Sequence, residues 1–576
     1  MSPSRRILRR PAPDTLGQDW PAEVPEVLRR LYAARGARAW SEAQPKLAGL
    51  LPPDGMRGLD DAVTLLADAI ARDAHIVVVG DFDCDGATAC AVGVRGLRML
   101  GATRVSHAVP NRIVHGYGLS PGLVEDLARM QPDLLVTVDH GIACHAGVAA
   151  AKARGWRVLV TDHHLPGEAL PPADAIVDPN VPGDAFPSKA LAGVGVMFYV
   201  LLALRRHLRD AGAFPGAPPD LTVLLDLVAV GTVADLVPLD ANNRALVAAG
   251  LRRLRAGQGC AGLKALIEVA KRRVETLTAT DIGFAIGPRI NAAGRLEDMG
   301  VGIACLLTDD LAQARALAGT LDAINAERKG VQQQMVQGAE AALASLHPDE
   351  GASMLAPCLF NPEWHPGVVG LVASRLKERL HRPTLAFAPS EPGSDVLRGS
   401  ARSIPGFHMR DALAAVDAQH PGLIERFGGH AMAAGLTLHH DRLPAFIDAF
   451  TTVARAWLTP ELLQEDILSD GELAPTECGD ALARALRDGG PWGQAFPEPL
   501  FDGAFDVVDW RIVGETHLKL ELAWPGTRQR VNAIHFGGWA GTPPAAREHL
   551  AYRLQPDDWR GGGAVQLVVV HRTPVA

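Results

Sequence analysis

The sequence predicts a multidomain α/β protein that has a parallel-sheet domain, a long connecting helix, a smaller α/β domain and a C-terminal β-barrel. Three observations predict this architecture. Short apolar runs alternate with helix-like segments in the first half, residues 308–347 are rich in Ala, Gln, Glu, Leu and Arg, and five short strand-like runs fill the C-terminal part. At 576 residues the chain is too long for one ordinary core, so three or four domains are expected.

Continuous apolar runs at 75–79, 134–138 and 157–160 predict buried parallel strands, because helix-like sequence follows each of them. Residues 224–233 carry the same signal less clearly. The uncharged run 191–204 is long enough for a buried helix and too short to cross a bilayer.

The second half begins with a predicted connecting helix, for which Thr308, Asp309 and Asp310 supply a start. A second α/β unit follows at about 352–458, with expected Gly-rich turns at 398–402 and 427–435. The last five strand-like runs predict a small barrel of the OB type, an architecture that often binds single-stranded nucleic acid. A plain structural sandwich explains those five runs equally well. The runs cover residues 504–513, 517–524, 530–536, 552–554 and 564–571.

Composition restricts the possible partners and compartment. Because the net charge is −9, a nucleic-acid-binding site needs a local basic patch. The acidic residues around the reaction site need metal cations to neutralise them. Seven cysteines without a C-x-x-C pair indicate a reducing compartment. The Arg-rich N-terminus runs into Pro11 and Pro13 without an apolar segment, so we predict a cytoplasmic protein with no membrane association.

Acidic and histidine residues follow all three predicted strands. The first strand runs into an Asp-x-Asp-x-Asp-Gly segment at 81–86, the second into Asp139 and His140, and the third into the Asp-His-His triplet at 162–164. The carboxyl ends of parallel strands meet at one edge of a sheet, where ligands bind. We therefore expect these side chains to form one cluster.

Carboxylates and imidazoles without thiolates suit Mn²⁺ or Mg²⁺. Two such cations about 3.5–4 Å apart, bridged by a carboxylate, are the usual arrangement for phosphoester hydrolysis. A calcium loop is the alternative at 83–94, but Val94 occupies the position that needs a carboxylate. A lone His-His pair is more often surface or core, whereas three converging strand ends favour a metal centre.

These motifs resemble the DHH phosphoesterase superfamily, which is named for the triplet at 162–164. Further motifs in the second half are similar to those of its branch of single-stranded-DNA-specific 5′→3′ exonucleases. The matching segments are 81–86, 110–118, 138–141, 162–164, 231–239, 287–295, 400–403 and 428–435.

The resemblance implies five regions: an N-terminal extension at 1–40, a DHH catalytic domain at 41–275, a connecting helical region at 276–348, a DHH-associated domain at 349–458 and an OB-like nucleic-acid-binding domain at 459–576.

The resemblance also implies the roles of individual residues. Asp139 would bridge the two metals, and His164 would contact the scissile phosphate. Asp162 would orient the histidines, while His140 is either a supporting or a merely structural residue. The implied metal ligands are Asp81, Asp83, Asp85, Asp139, His163 and Asp235, and the implied catalytic residues are Asp83, Asp139, His163 and His164.

A further set would bind the substrate, since arginine forks match phosphate oxygens bidentately. We expect its arginines in the first half to lie in Gly- or Asn-containing turns, with a salt bridge as the alternative role for Arg295. Two basic runs, 252–255 and 271–273, are interpreted as solvated helix faces. The substrate set comprises Arg112, Arg289, Asn291, Arg295, Ser400, Arg402 and His430.

The function that the resemblance implies is single-stranded-DNA-specific 5′→3′ exonuclease activity that releases 5′-mononucleotides, with two Mn²⁺ or Mg²⁺ ions, in DNA repair and recombination. A cleft too narrow for a duplex would give strand selectivity. The implied partners are single-stranded DNA with a 5′ end, a single-strand-binding protein and a helicase, and a monomer is expected. The alternatives are an enzyme for short RNA, cyclic dinucleotides or polyphosphate, and a non-catalytic scaffold, which should have lost metal ligands.

Overall fold

The structure is a computed structural model that describes residues 5–11, 13, 20–111, 115–344, 355–539, 541–557 and 560–575, with no side-chain description at 342–344. The chain divides into two compact units. The core unit comprises residues 9–325 and 469–576, and the insert unit comprises residues 1–8 and 326–468.

The core unit contains a five-stranded parallel sheet. Strand Ile76–Val79 pairs with Val105–Ala108 on one side and with Leu134–Val138 on the other. Arg157–Thr161 and Ala175–Val177 follow in the same direction. The three central strands are buried on both faces, which explains their continuous apolar sequences.

All three predicted strands of this sheet are confirmed. The two edge strands were not predicted. Val105–Ala108 is mostly half-buried, and Ala175–Val177 has only three residues, so neither produces a long apolar run.

The weaker strand signal at 224–233 was wrong, because this segment forms the helix Leu225–Ala234. The helix is buried on nearly all sides between Cys84–Met99, Ala241–Arg255 and Gly193–Asp210. A helix that is apolar all round has the same composition as a buried strand, so hydrophobic periodicity cannot separate them. The buried helix predicted at 191–204 is confirmed as Gly193–Asp210.

Helices cover both faces of the parallel sheet and continue beyond it. They are Glu26–Ala34, Trp40–Ala43, Leu59–Ala71, Cys84–Met99, Pro121–Leu127, His145–Ala153, Gly193–Asp210, Leu225–Ala234, Ala241–Arg255, Ala261–Val269, Ala279–Asp281, the π-helix Ile282–Ile286, Gly287–Leu296 and Gly300–Leu307.

The predicted connecting helix is confirmed as Leu311–Ala344. Asp310 caps its start, since the Asp310 carboxylate accepts a hydrogen bond from the backbone N–H of Ala312 at 2.8 Å.

The insert unit contains a second five-stranded sheet. Its strands lie in the order Arg426–Gly429, Ala433–His439, Val396–Arg402, Thr384–Pro389 and Cys358–Phe360, and only the last pair is parallel. The helices of this unit are Val369–Leu380, Met409–Gln419 and Leu443–Trp457. A two-stranded sheet pairs Arg5–Arg9 with Glu465–Ser469.

One predicted turn of this unit was wrong. Residues 398–402 lie inside the strand Val396–Arg402, whose glycine packs closely against neighbouring side chains: a Cβ on Gly399 would lie 2.4 Å from the Phe387 ring. At 427–435 the turn joins two strands, Arg426–Gly429 and Ala433–His439.

The C-terminal strands form a closed five-stranded barrel, as predicted, so the sandwich alternative was wrong. A parallel pair between Arg530–His535 and Val565–Pro574 closes it. The barrel strands are Phe501–Val513, His517–Ala523, Arg530–His535, Arg547–Pro556 and Val565–Pro574, and the helix Asp480–Asp488 precedes them.

An aromatic stack joins the N-terminal helix Glu26–Ala34 to the segment that leads into the barrel. The Tyr32 ring stacks on Trp492 at 5.7 Å and on Phe496 at 6.2 Å. All three side chains are buried, so residues of the predicted N-terminal extension belong to the core of this unit. In the described part of the chain, none of the helices combines the length and apolarity needed to cross a membrane.

Candidate metal centre

The aspartate loop begins where the strand Ile76–Val79 ends. Asp83 caps the helix Cys84–Met99, its carboxylate accepting a hydrogen bond from the backbone N–H of Gly86 at 3.0 Å. A Cβ on Gly86 would lie 2.5 Å from the backbone nitrogen of Asp81, so only glycine lets the loop fold this tightly over the helix start. Asp81 is thereby buried beside Asp83.

Asp85 is fixed by the start of another helix. Its two carboxylate oxygens accept hydrogen bonds from the backbone N–H groups of Gly193, at 2.6 Å, and Val194, at 3.0 Å. Burial and the neighbouring Asp83 raise the pKa of Asp85 to about 7, although the two N–H groups oppose this shift.

Asp139 ends the strand Leu134–Val138 in a left-handed conformation, with φ 64°. The side chain lies against the backbone of Gly193, where a Cβ would come within 2.5 Å of the Asp139 Cβ. Burial raises the pKa of Asp139 well above its usual range, and repulsion from Asp85, Asp83 and Asp235 adds to the shift.

The Asp-His-His triplet follows the strand Arg157–Thr161. Asp162 accepts hydrogen bonds from His164 Nδ1 at 2.7 Å and from the backbone N–H of Ile142 at 2.9 Å. Burial would raise the pKa of Asp162, but the bond and charge of His164 outweigh it and lower the pKa to about 2. Asp162 therefore orients the triplet, the role that the resemblance implies.

His163 and Asp235 complete the cluster. His163 Nε2 lies 3.1 Å from Asp139 Oδ1 and 3.5 Å from Asp235 Oδ2. Asp235 follows directly after the helix Leu225–Ala234. This helix therefore positions the Asp235 carboxylate in the site. Burial, with repulsion from Asp85 and Asp83, raises the pKa of Asp235 well above its usual range.

The structure brings all six predicted metal ligands together. Their donor atoms form three sets within which each atom lies no more than 4.8 Å from the others: Asp85, His163 and Asp235; Asp81, Asp83 and Asp139; and Asp139, His163 and His164. Asp139 and His163 each belong to two of these sets. Buried carboxylates this close together repel one another unless cations neutralise them. Their oxygen atoms and the imidazole nitrogens are ligands that suit hard divalent cations.

His140 does not belong to any of these three sets. It is fully buried with Nε2 3.1 Å from the carbonyl oxygen of Val79, and burial lowers its pKa to about 4. Its surroundings favour the structural alternative.

Three family models match the chain in succession. The model described as the DHH family, N-terminal domain, matches residues 75–232, the DHHA1 domain matches 351–456 and the RecJ OB domain matches 469–571.

Curated relatives match almost the whole chain. The single-stranded-DNA-specific exonuclease RecJ of Salmonella typhimurium is 49% identical over 99% of this chain and 99% of its own length. The protein of the same name from Escherichia coli is 49% identical over 97% of each chain. The chain belongs to the RecJ family.

A solved member of the RecJ family has the same fold. The crystal structure of RecJ in complex with Mn²⁺ from Thermus thermophilus superposes on this chain with a TM-score of 0.82 and is 33% identical in sequence. The match covers 100% of this chain and 80% of the Thermus thermophilus chain. The corresponding Mg²⁺ complex gives a TM-score of 0.77 at 31% identity.

Of the predicted substrate-binding residues, Arg289, Asn291 and Arg295 lie on the helix Gly287–Leu296. The expectation that Gly and Asn mark turns here was wrong. Gly294 instead allows close packing, since a Cβ there would lie 1.8 Å from the carbonyl oxygen of Phe82. Asn291 accepts a hydrogen bond from the backbone N–H of Cys84 at 2.7 Å and so positions the aspartate loop.

The other substrate residues have different surroundings. Arg289 donates to Asp322 at 2.8 Å. Arg112 lies outside the described residues. In the insert unit, Arg402 donates from Nη1 to Ser400 Oγ at 3.0 Å, and His430 occupies the turn after Arg426–Gly429, a strand that pairs with Ala433–His439.

Sequence reasoning missed Tyr117 as a residue of this RecJ-family site. Its hydroxyl donates to the carbonyl oxygen of Asp139 at 3.4 Å, and its ring meets the His164 ring edge-on at a centroid distance of 6.2 Å. The side chain is half exposed. The sequence signal that could have identified Tyr117 is its position in the matching segment 110–118.

Proposed function

We propose that the chain is a metal-dependent exonuclease that hydrolyses single-stranded DNA from its 5′ end and releases 5′-mononucleotides. The observation that carries this proposal is the meeting of six carboxylate and imidazole ligands from four distant segments in one buried cluster. The names of the RecJ relatives support single-stranded DNA as the substrate.

Two divalent cations, Mn²⁺ or Mg²⁺, would be held by the residues of these sets. Asp139 would be the ligand shared by both cations, as the resemblance implies, since it is grouped with Asp81 and Asp83 and also lies 3.1 Å from His163, which is grouped with Asp85 and Asp235. When bound, such cations promote deprotonation of water near neutral pH and neutralise charge on the scissile phosphate. Backbone N–H groups already fix the carboxylates of Asp83 and Asp85. These two side chains therefore lose little conformational freedom when a cation binds.

His164 would contact the scissile phosphate. Its Nδ1 is bound to Asp162, which fixes the ring, and about a third of the side chain is exposed. Tyr117, beside His164 and half exposed, would pack against the nucleotide next to that phosphate.

A second phosphate site would set polarity. In the insert unit, Ser400 and Arg402 lie against the start of the helix Val369–Leu380, since a Cβ on Gly370 would be 3.0 Å from Ser400 Oγ and 2.9 Å from Arg402 Nη2. A helix N-terminus and an arginine both favour a phosphate. We propose that these groups, with His430, hold the 5′-terminal phosphate.

Arg112, Arg289 and Arg295 would bind backbone phosphates further along the strand. For Arg289 this requires exchange of its partner Asp322, which is nearly half exposed and so retains solvation when released. Asn291 acts on substrate through the aspartate loop that it holds.

The remaining features of the proposal rest on the family. A monomer would act in the cytoplasm, in repair and recombination, on strands supplied with the help of a single-strand-binding protein and a helicase. The seven cysteines, all without a disulfide, support a reducing compartment. Of the five regions given above, 41–275 would be the catalytic domain, 349–458 would bind the 5′-terminal phosphate and 459–576 would bind DNA. Residues 1–40 would be an extension, and 276–348 would connect the two α/β domains.

Digestion of single-stranded oligonucleotides with Mn²⁺ tests the proposal. One substrate carries a 5′ label, another a 3′ label, and a duplex serves as control. Early release of the 5′ label as a mononucleotide, with the duplex intact, is the expected result. Early release of the 3′ label, or degradation only of short RNA, would overturn the polarity or the substrate assignment respectively.

A further inference from the structure

The core unit contains a groove of about 710 Å³ between the helical part of the core and the barrel. One wall is built by the end of the helix Ala241–Arg255 and by residues 271–284, and the other by residues 486–499 and the strand Arg547–Pro556. The two basic runs interpreted above as solvated helix faces thus contribute to one concave surface. For residues 271–273 the helical interpretation was wrong, because they follow the end of the helix Ala261–Val269.

The groove is strongly positive although the chain as a whole carries −9. Seven cationic side chains line it against three acidic ones. The three acids each contact one cation: Asp281 lies 3.5 Å from Arg272, Asp488 lies 2.9 Å from Arg487 and Glu498 lies 3.0 Å from Arg553.

Four cations remain in excess of these pairs. Within the described residues, Arg252, Lys271 and Arg273 form no ion pair, and all three are exposed. Arg255 donates from Nε to the carbonyl oxygen of Leu277 at 2.7 Å and, within the described part of the chain, does not form an ion pair. Such a surplus in a concave surface attracts a polyanion.

An exposed aromatic side chain stands at one end of the groove. Phe284 is 81% exposed, although it belongs to the π-helix Ile282–Ile286, whose other large apolar residues are buried. A π-helix inside a longer helical segment often marks a functional position. An isolated exposed phenylalanine ring beside excess positive charge is the combination that binds unpaired bases and their phosphates.

A smaller cavity shares lining residues with the groove. Phe284 also lines this cavity of about 180 Å³, together with Leu236. Leu236 is 72% exposed and immediately follows the metal ligand Asp235, in a left-handed conformation with φ 60°. Leu236, the sequence neighbour of Asp235, and Phe284 therefore line one cavity, and Phe284 also lines the cationic groove.

We propose that this groove binds the single-stranded substrate on the 3′ side of the nucleotide being hydrolysed, with Phe284 stacking on a base and Arg252, Lys271 and Arg273 contacting the backbone. The inference rests on the proposed function, which places the scissile phosphate at the metal ligands. The groove then explains how the enzyme keeps hold of a strand from which single nucleotides are removed.

Binding of fluorescent phosphorothioate oligonucleotides to the full chain with Mn²⁺ tests this inference, because the sulfur-substituted backbone slows hydrolysis. One oligonucleotide has about 4 nucleotides and reaches only the metal centre, and the other is longer than the about 16 nucleotides that one OB fold covers. The variants are Phe284→Ala and the double variant Lys271→Gln/Arg273→Gln. The matched control, Arg129→Gln/Arg154→Gln, removes two exposed cations beyond the parallel sheet.

Phe284→Ala is expected to weaken binding of the long oligonucleotide about tenfold, which is within the contribution of one base–aromatic stack, and to leave the salt dependence unchanged. The double variant should also weaken it and reduce the slope of log affinity against log salt by about 1.4, since each lost single-strand phosphate contact removes about 0.7. The short oligonucleotide should lose less affinity in both cases.

The inference is overturned if both variants bind the long oligonucleotide as tightly as the wild type, or if the control loses as much affinity as the double variant. Failure of the proposed function would look different, since the wild-type chain would then not bind or degrade single-stranded DNA. Thermal unfolding of each variant identifies any loss of affinity that comes from lost folding.

Discussion

Gly193 packs directly against Asp139, and a Cβ added at Gly193 would lie 2.5 Å from the Asp139 Cβ and 2.6 Å from its Oδ1. The same glycine donates its backbone N–H to Asp85 at 2.6 Å. One residue at the start of the helix Gly193–Asp210 therefore positions two of the proposed metal ligands.

Gly193→Ala should consequently reduce Mn²⁺ affinity and nuclease activity by at least about tenfold, because a displaced or misoriented carboxylate is a poorer ligand. Calorimetric titration with Mn²⁺ and the oligonucleotide digest measure both effects. Gly195→Ala is the control, since the nearest atom to its Cβ would be a Leu191 methyl at 3.1 Å, which can shift. Equal behaviour of the two variants would contradict a positioning role for Gly193.

Asp162→Asn should lower kcat by about 10–100-fold, the usual effect of removing a carboxylate that orients a site histidine. Asp162 Oδ1 accepts from His164 Nδ1 and from two backbone N–H groups of the triplet, while Oδ2 accepts from the backbone N–H of Ile142. An amide has a single oxygen and cannot accept at both positions. Since Asp162 is not a proposed ligand, Mn²⁺ stoichiometry should stay the same. Loss of a bound metal would show instead that Asp162 is itself a ligand.

Removal of metal should make the stability of the protein fall as pH rises. The pKa of Asp85 is raised from 3.8 to about 7 in the fold, so its contribution is fully present below about pH 4 and is lost as pH rises through about 7. Thermal unfolding in chelator should therefore show a lower Tm at pH 8 than at pH 5, and Mn²⁺ should restore it more at pH 8.

Asp85→Asn provides the comparison for that measurement, because an amide at this position does not titrate. Its Tm in chelator should depend less on pH than that of the wild type. An identical pH dependence in both proteins would assign the effect to other groups.

An ionic network around the buried carboxylate of Asp502 links the barrel to the N-terminal residues of the core unit. Asp502 accepts hydrogen bonds from Arg9 at 2.7 Å and from His549 at 2.9 Å, and also from Ser469. Burial would raise the pKa of Asp502, but these partners outweigh it and lower the pKa. The stabilisation is thus present above the ordinary carboxyl pKa and is lost as pH falls through the lowered value.

Asp502→Asn should reduce the free energy of unfolding by about 2 kcal/mol at neutral pH, because the buried carboxylate loses its charge-assisted hydrogen bonds from Arg9 and His549. Arg9 itself is about half exposed and keeps Glu472 as a partner. Denaturant unfolding measures the change. Asp506→Asn, which removes an exposed pair with Arg547 at 2.7 Å, should cost less than about 1 kcal/mol. Similar losses in both variants would contradict the buried network.

Much of this architecture could be predicted from local sequence. The strand Leu134–Val138 was predicted to the residue because it is buried on both faces, and such a strand is apolar throughout. The helix Leu225–Ala234 could not be distinguished from a strand for the same reason, since it too is apolar on every side. Its C-terminal neighbour Asp235 was nevertheless identified from the motif.

The site residues that were misplaced or missed depend on contacts between distant segments. Arg289 and Arg295 were expected in turns because glycines surround them, but Gly294 is needed for close packing against Phe82. The cationic groove combines residues 271–273 with residues of the barrel. Local sequence patterns cannot predict such a contact between distant segments. Tyr117 becomes a site residue through its contact with Asp139, 22 positions away.

Crystals of the chain grown with Mn²⁺ provide the most direct test of the central claim, that Asp139 joins two metal ions in one hydrolytic centre. We expect two anomalous peaks about 3.5–4 Å apart, with Asp139 between them and with His163 and Asp235 on one of them. A single peak, or peaks that do not contact Asp139, would contradict it.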